Sequence, residues 1–317
     1  DRDLMVHIGE ISAASFNDTI PAKEVWRVSE DGELRDPFKK LTTVFQMSEE
    51  MFFLHYGKDG CNRHVLIDEC RELFGEIYEQ IPELPFCNIW TAMQLSSRLP
   101  KGALFHMGVS NTRRCWNMFQ LPESVESACN VGCCGIDGCV STLVGASLVN
   151  PDRLCYVVVG DLTFFYDLNS LGNHHIGTNL RVMLVNNGRG TEFRLGIHHC
   201  NVFGDDADKY MAAAGHFGNK SPLLVKHYAE DLGFHYLSAT TKEEFMTALS
   251  NFTNPQLSDH SMILEVFTDS KDESEALYLM SHIQSDAKGM VRSKLKDAVR
   301  NVAGEKGINA IKKILKK

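Results

Sequence analysis

The sequence predicts an α/β protein: a parallel sheet flanked by helices, preceded by a smaller α/β piece. Three observations predict it. Apolar runs such as LCYVVVG (154–160) and NLRVMLVNN (179–187) are continuous rather than alternating, the pattern of strands covered on both faces. Segments with helical patterning separate these runs, which is what parallel crossovers require. Finally, 317 residues that are 44% hydrophobic can bury a substantial core in one large or two medium domains.

The elements follow in order. LMVHIGE reads as a buried strand that begins almost at the first residue, with no initiator Met, so preceding elements of the protein are expected to be missing. EVWRVSEDG (24–32) comes next, and KKLTTVFQMSEEMFFLHYG turns helical toward its end. Residues 62–99 carry helical patterning broken by Pro82 and Pro85, which marks a linker into the next domain. ALFHMG (103–108) is a strand before a helix around 110–119, and GIDGCVSTLVGASLV (135–149) is a helix opened by a Gly-rich turn. After LCYVVVG come FFYDLNSLGNHH as a helix and NLRVMLVNN as a strand. LLVKHYAEDLG (223–233) and EEFMTALSNF (243–252) are helices around the short strand FHYLSA, and SMILEVFT (261–268) is the final strand. The domain division read from this pattern is 1–80, 81–280 and 281–317. In the last, residues 288–317 hold ten Lys or Arg against Asp297 and Glu305, with apolar positions at helical spacing. That stretch is read as a packed or partner-docking helix rather than a membrane-surface one.

Charge and cysteine usage exclude some functions. A formal net charge of −9 argues against a general nucleic-acid surface, and no apolar run is long enough for a membrane span. The ten Cys, including Cys129, Cys133 and Cys134, show no zinc-ligand spacing, so they read as free thiols in a reducing, cytoplasmic setting. The pairs His174–His175 and His198–His199 invite a metal or relay role, but sequence neighbours on a regular element point to different faces.

One constellation carries chemistry. Asp161 follows the strand LCYVVVG and Asn187 ends NLRVMLVNN, a separation of 26 residues. If those strands are parallel neighbours, a carboxylate and an amide oxygen meet at one sheet edge, a donor set suited to a hard dication such as Mg²⁺ with phosphate oxygens. Gly160 allows a close turn under phosphates, and a helix starting near Leu162 would direct N–H groups at them.

GDLTFFYDLNSL (160–171) followed by VNNGRGTEF (185–193) resembles the Gly-Asp-Gly…Asn-Asn motif of thiamin-diphosphate-dependent enzymes, with Leu162 at the third place. With GIDGCVSTLVGA (135–146) and GVSNTRR (108–114) upstream, the pattern is most similar to the 2-succinyl-5-enolpyruvyl-6-hydroxy-3-cyclohexene-1-carboxylate (SEPHCHC) synthases of menaquinone biosynthesis. The likeness runs over about residues 4–280. It implies a thiamin-diphosphate-binding fold after a partial Rossmann-like middle domain, and an enzyme that decarboxylates a 2-oxo acid and transfers the acyl carbanion equivalent to an acceptor. It implies Mg²⁺ on Asp161, the Asn187 side chain and the Arg189 backbone carbonyl, and diphosphate near Leu162 and Thr163. Ser110 and Arg114 match residues on the diphosphate and donor side. Gly135 and Ile136 match the aminopyrimidine contacts, and Glu192 and Phe193 match positions facing substrate. The residues alone leave alternatives open: Ile136 reads equally as core, Phe193 reads more readily as core than as substrate wall, Arg113 could stand for Arg114, and Asp137 could simply complement a helix start.

Two departures blur the substrate. Val131 stands where the synthases carry an Arg for substrate carboxylates, and Glu192 replaces an aliphatic residue and would repel an anionic acceptor. The family's catalytic Glu lies on a pyrimidine domain for which this chain has no candidate. No catalytic residue is therefore expected here, and the resemblance implies a second subunit or separate pyrimidine domain, in a homodimer or homotetramer. A 2-oxo-acid decarboxylase, a carboligase of another pathway, and a non-catalytic scaffold that kept the fold are the other readings.

Overall fold

The structure is a computed structural model that describes residues 2–9, 22–57, 65–131, 135–196 and 198–283. The basic stretch at 288–317, and Cys133 and Cys134, lie outside the described residues. The chain divides into two compact units, Asp1–Gly75 and Glu76–Lys317.

The first unit holds a three-stranded parallel sheet in the order β1 (Arg2–Ile8), β2 (Ala22–Ser29) and β3 (Leu41–Gln46). The sequence reading missed β3, because LTTVFQ is half polar and only half buried. Helix α1 (Glu49–Tyr56) starts at Ser48, whose Oγ accepts the Met51 N–H, and its Phe52 packs edge-on against Phe45 of β3 with ring centroids 5.0 Å apart. Helix α2 (Val65–Glu79) runs across the division.

The second unit is built on a six-stranded, all-parallel sheet. In chain order its elements are α3 (Asn88–Leu95), β4 (Leu104–Met107), α4 (Asn111–Trp116), β5 (Glu126–Cys129), α5 (Cys139–Val149), β6 (Cys155–Gly160), α6 (Asp161–Tyr166), β7 (Leu180–Asn186), α7 (Asp205–Tyr210), α8 (Leu224–Asp231), β8 (His235–Ala239), α9 (Lys242–Phe252), β9 (Met262–Phe267) and α10 (Ser270–Ser281). The strand order is β5-β4-β6-β7-β9-β8. Every residue of β7 is buried, which is why its sequence is apolar without alternation. Its side chains divide between two cores: Met183 and Val185 join Tyr156, Trp116 and Phe245 on one face, while Val182 and Leu184 join Val157, Leu143 and Val225 on the other. Each such fully buried Val or Leu contributes about 2 kcal/mol of hydrophobic stabilisation. Cysteine serves the same purpose, since burial pushes the Cys87 thiol up to about 12 and those of Cys139 and Cys155 to about 11.

Three elements differ from expectation. Strand β5 is a four-residue edge strand in a polar run, too short and exposed to leave a pattern. Helix α10 follows the strand expected to be last; Asp269 caps it by accepting the Lys271 N–H at 2.7 Å. The helix expected over FFYDLNSLGNHH is shorter, α6 giving way to a 3₁₀ turn at Leu168–Gly172. The Asp167 carboxylate accepts the Ser141 N–H of α5 at 2.6 Å, and residue 167 leaves helical geometry to reach it.

Glu273 of α10 is completely buried among these elements. Its Oε1 accepts the Asn88 N–H at 3.0 Å and the Thr268 hydroxyl at 2.7 Å, while Oε2 has no partner among the described residues. Burial raises its pKa from 4.5 to about 7. The folded protein thus binds this proton more tightly than the unfolded chain. The group's contribution is full below pH 4.5 and is lost as pH rises toward 7, up to about 3 kcal/mol. Denaturant unfolding at pH 5 and pH 8 should show this loss, and Glu273→Gln should flatten it.

Candidate active site

Strands β6 and β7 pair in register, with Gly160 opposite Val185, so they stop within one residue of each other. Asp161 and Asn187 come next, and both line a cavity of about 440 Å³ at this carboxyl edge. Its volume suits a small molecule, and its place is where parallel sheets bind ligands. The Asn-Asn pair is divided by strand alternation. The Asn186 amide donates to Glu265 Oε1 at 2.7 Å inside the unit, and Tyr236 donates to the other oxygen at 2.7 Å. Asn187 goes to the cavity instead, and its Oδ1 is covered without a hydrogen-bond partner among the described residues.

Asp161 is 2% exposed and its carboxylate is held from two sides. Its Oδ1 accepts the Leu162 N–H at 2.9 Å, and His216 Nε2 stands 3.0 Å from Oδ2. The Leu162 N–H, expected to face phosphate, is thus committed to Asp161. His216 was not foreseen; it lies 55 residues away in an irregular segment, and no spacing signals it.

The cavity gathers most of the residues singled out from the sequence. Ser110, Gly135, Ile136, Gly160, Leu162, Thr163, Arg189, Glu192 and Phe193 all line it. Ile136 and Phe193 are half-buried and belong to neither core, so their side chains are cavity wall. A Cβ on Gly135 would stand 2.5 Å from Asp137 Oδ1, the end of an exposed side chain that can swing aside. Ser110 has φ 60° and ψ −121°, a backbone region almost reserved for glycine, directly at the cavity. Arg114 and Val131 are not lining residues. Of the adjacent arginines, Arg114 turns to the wall and pairs with Glu192 through two hydrogen bonds of 2.5 and 2.8 Å, which raise its pKa. The Glu192 carboxylate, expected to repel an anion, is therefore neutralised in place.

Other side chains complete the picture. Asn88 lines the cavity, and its Oδ1 accepts the indole N–H of Trp116 at 3.0 Å; the signal for it was one polar residue opening the apolar run NIWTAMQL. Arg189 donates to both oxygens of Asp208 at 2.9 and 3.0 Å. His174 and His175 are exposed in a turn with ring centroids 3.8 Å apart, and His198 accepts the Cys200 N–H. Among the described residues no group of three or more His, Cys, Asp or Glu could hold a metal; the candidate set here is one carboxylate, one amide and a carbonyl.

These features define an α/β protein with a cavity of small-molecule size at the carboxyl edge of a parallel sheet. No family model matches the chain. It is 33% identical over 263 residues to the SEPHCHC synthase of Bacteroides fragilis, covering 81% of the chain and 45% of that protein. With the synthase of Phocaeicola vulgatus the identity is 32% over 265 residues, 81% of the chain and 44% of the relative. With that of Christiangramia forsetii it is 33% over 199 residues, 63% and 33% respectively. The chain is a homologue of the SEPHCHC synthase family, and it spans less than half the length of these curated relatives.

Two stability changes follow from the site's geometry. Replacing Asn187 by Leu removes a covered, unpartnered amide oxygen and should raise the unfolding free energy by about 1 kcal/mol in denaturant titrations. Ser110→Gly should stabilise by about 1 kcal/mol and Ser110→Val destabilise by about 2 kcal/mol, since only glycine meets that backbone conformation without strain.

Proposed function

We infer that the chain is the cofactor-binding part of a thiamin-diphosphate- and Mg²⁺-dependent, SEPHCHC-synthase-like enzyme that decarboxylates a 2-oxo acid and joins the product to an acceptor. The observation that carries this reading is Asn187, whose covered Oδ1 lacks a donor among the described residues while its residue shares a cavity with Asp161 of the neighbouring strand end. Leaving such an oxygen unpaired costs about 1–3 kcal/mol. A hard dication held jointly with a carboxylate removes that cost, so the residues fit the group. The names of the homologous synthases support the same reading.

In this reading Asp161, Asn187 and the Arg189 carbonyl would hold Mg²⁺, and Ser110, Gly160, Leu162 and Thr163 would surround the diphosphate. Gly135 and Ile136 would meet the aminopyrimidine. Thiamin diphosphate, when bound, supplies the electron sink for loss of CO₂ from a 2-oxo acid. The chain's own residues bind, orient and exclude water: Ile136 and Phe193 provide apolar wall, and Leu162 N–H with His216 keeps the Asp161 carboxylate in one orientation. Arg114 and Glu192 face the substrate side as a pair. No acid or base of the reaction is assigned to this chain. A second subunit or pyrimidine domain would complete the site in a cytoplasmic homodimer or homotetramer. Among the described residues no helix is long and apolar enough to cross a membrane. Residues 81–280 form the cofactor domain of this proposal, 1–80 the partial middle domain and 281–317 the basic extension.

Calorimetry with thiamin diphosphate in the presence and absence of Mg²⁺ tests the reading. Binding should require Mg²⁺ and weaken by about a hundredfold or more in Asp161→Ala. Mg²⁺-independent binding, or none in the protein supplied with its pyrimidine domain, would leave a scaffold that kept the fold.

A further inference from the structure

Arg114 is the cation that the sequence points at an anionic substrate, and the fold turns its fork onto the protein itself. Its Nη1 and Nη2 donate to Oε2 and Oε1 of Glu192, the parallel two-bond arrangement that a bound carboxylate would adopt. The partners are 78 residues apart, one on α4 and one in the 3₁₀ turn Thr191–Arg194 beyond β7. The pairing is therefore set by the tertiary fold rather than by neighbours on one helix surface. Both side chains are largely covered, at 31% and 19% exposure. Glu192 stands on the cavity wall and Arg114 does not.

Among the described residues the wall has one guanidinium of its own, Arg189, and it too carries a carboxylate, that of Asp208. Against it the wall shows three carboxylates, Asp137, Asp161 and Glu192. An incoming carboxylate at residue 192 has two routes. It can displace Glu192 from Arg114, which leaves a covered carboxylate without its partner, or it can bind beside the closed pair, where the Arg114 fork is already taken and the wall carries Asp137 and Asp161. An uncharged amide or hydroxyl meets neither cost.

We propose that Glu192 is a specificity-determining residue that fills the carboxylate place of Arg114 from within, so that this wall takes an uncharged polar group of the substrate instead of a carboxylate. The proposal rests on reading the cavity as the substrate site, and it names the class of substrate that site accepts.

Ligand-observed NMR titrations of glutarate and glutaramide test it, with the whole chain and without thiamin diphosphate or Mg²⁺. The variants are Glu192→Gln, Glu192→Ala, Arg114→Gln and the double change Glu192→Ala with Arg114→Gln; melting temperatures identify those that fold. The wild type should bind glutaramide at least as tightly as glutarate, and Arg114→Gln should leave its glutarate affinity unchanged. A folded Glu192 variant should bind glutarate about tenfold more tightly, and the double change should lose that gain. Glutarate binding in the wild type that depends on Arg114, or no gain in either Glu192 variant, overturns the proposal. With no cofactor present, this outcome is read separately from Mg²⁺-dependent thiamin diphosphate binding.

Discussion

The register between β6 and β7 is the constraint on which the site depends. With Gly160 opposite Val185, two strands that arrive from different crossovers end within one residue of each other, and the residues just beyond them share a cavity. A slip of one residue would exchange the faces of Asn186 and Asn187. The amide that satisfies Glu265 would then turn to the cavity, and the cavity's oxygen would turn into the sheet. Two cores, one on each face, hold the register, since every residue of β7 is buried on one side or the other.

The strands that matter most for the site were also the most legible. LCYVVVG and NLRVMLV lie in the middle of the sheet, where burial on both faces writes a continuous apolar run into the sequence. At the margins the pattern fades: β5 is four residues of mostly exposed edge, and β3 is half polar. The site divides in the same way. Asp161 and Asn187 were legible because each sits where a strand ends, a local feature of the chain. His216 and the Arg114–Glu192 pair were not, because they depend on contacts 55 and 78 residues apart, and local spacing is silent on these. The sequence did show that Arg114 and Glu192 were charged; it could not show that each was the other's partner.

That pairing changes how the expected effect of Glu192 is understood. A lone glutamate on a substrate wall is a source of repulsion, whereas a glutamate bonded twice to an arginine is nearly neutral from outside and rigid from within. The effect of Glu192 is therefore one of occupancy more than of field. The relatives named as SEPHCHC synthases cover most of this chain at about a third identity.

Asp161 shows how the fold prepares a ligand's place ahead of time. A carboxylate on a surface rotates about its terminal bond, and any ion it binds must first stop that rotation. Here the backbone of residue 162 and the ring of His216 have already stopped it, on opposite oxygens. The rotational entropy is lost on folding, once, and is not charged again to each binding event. Any ligand of this carboxylate would find its orientation already set.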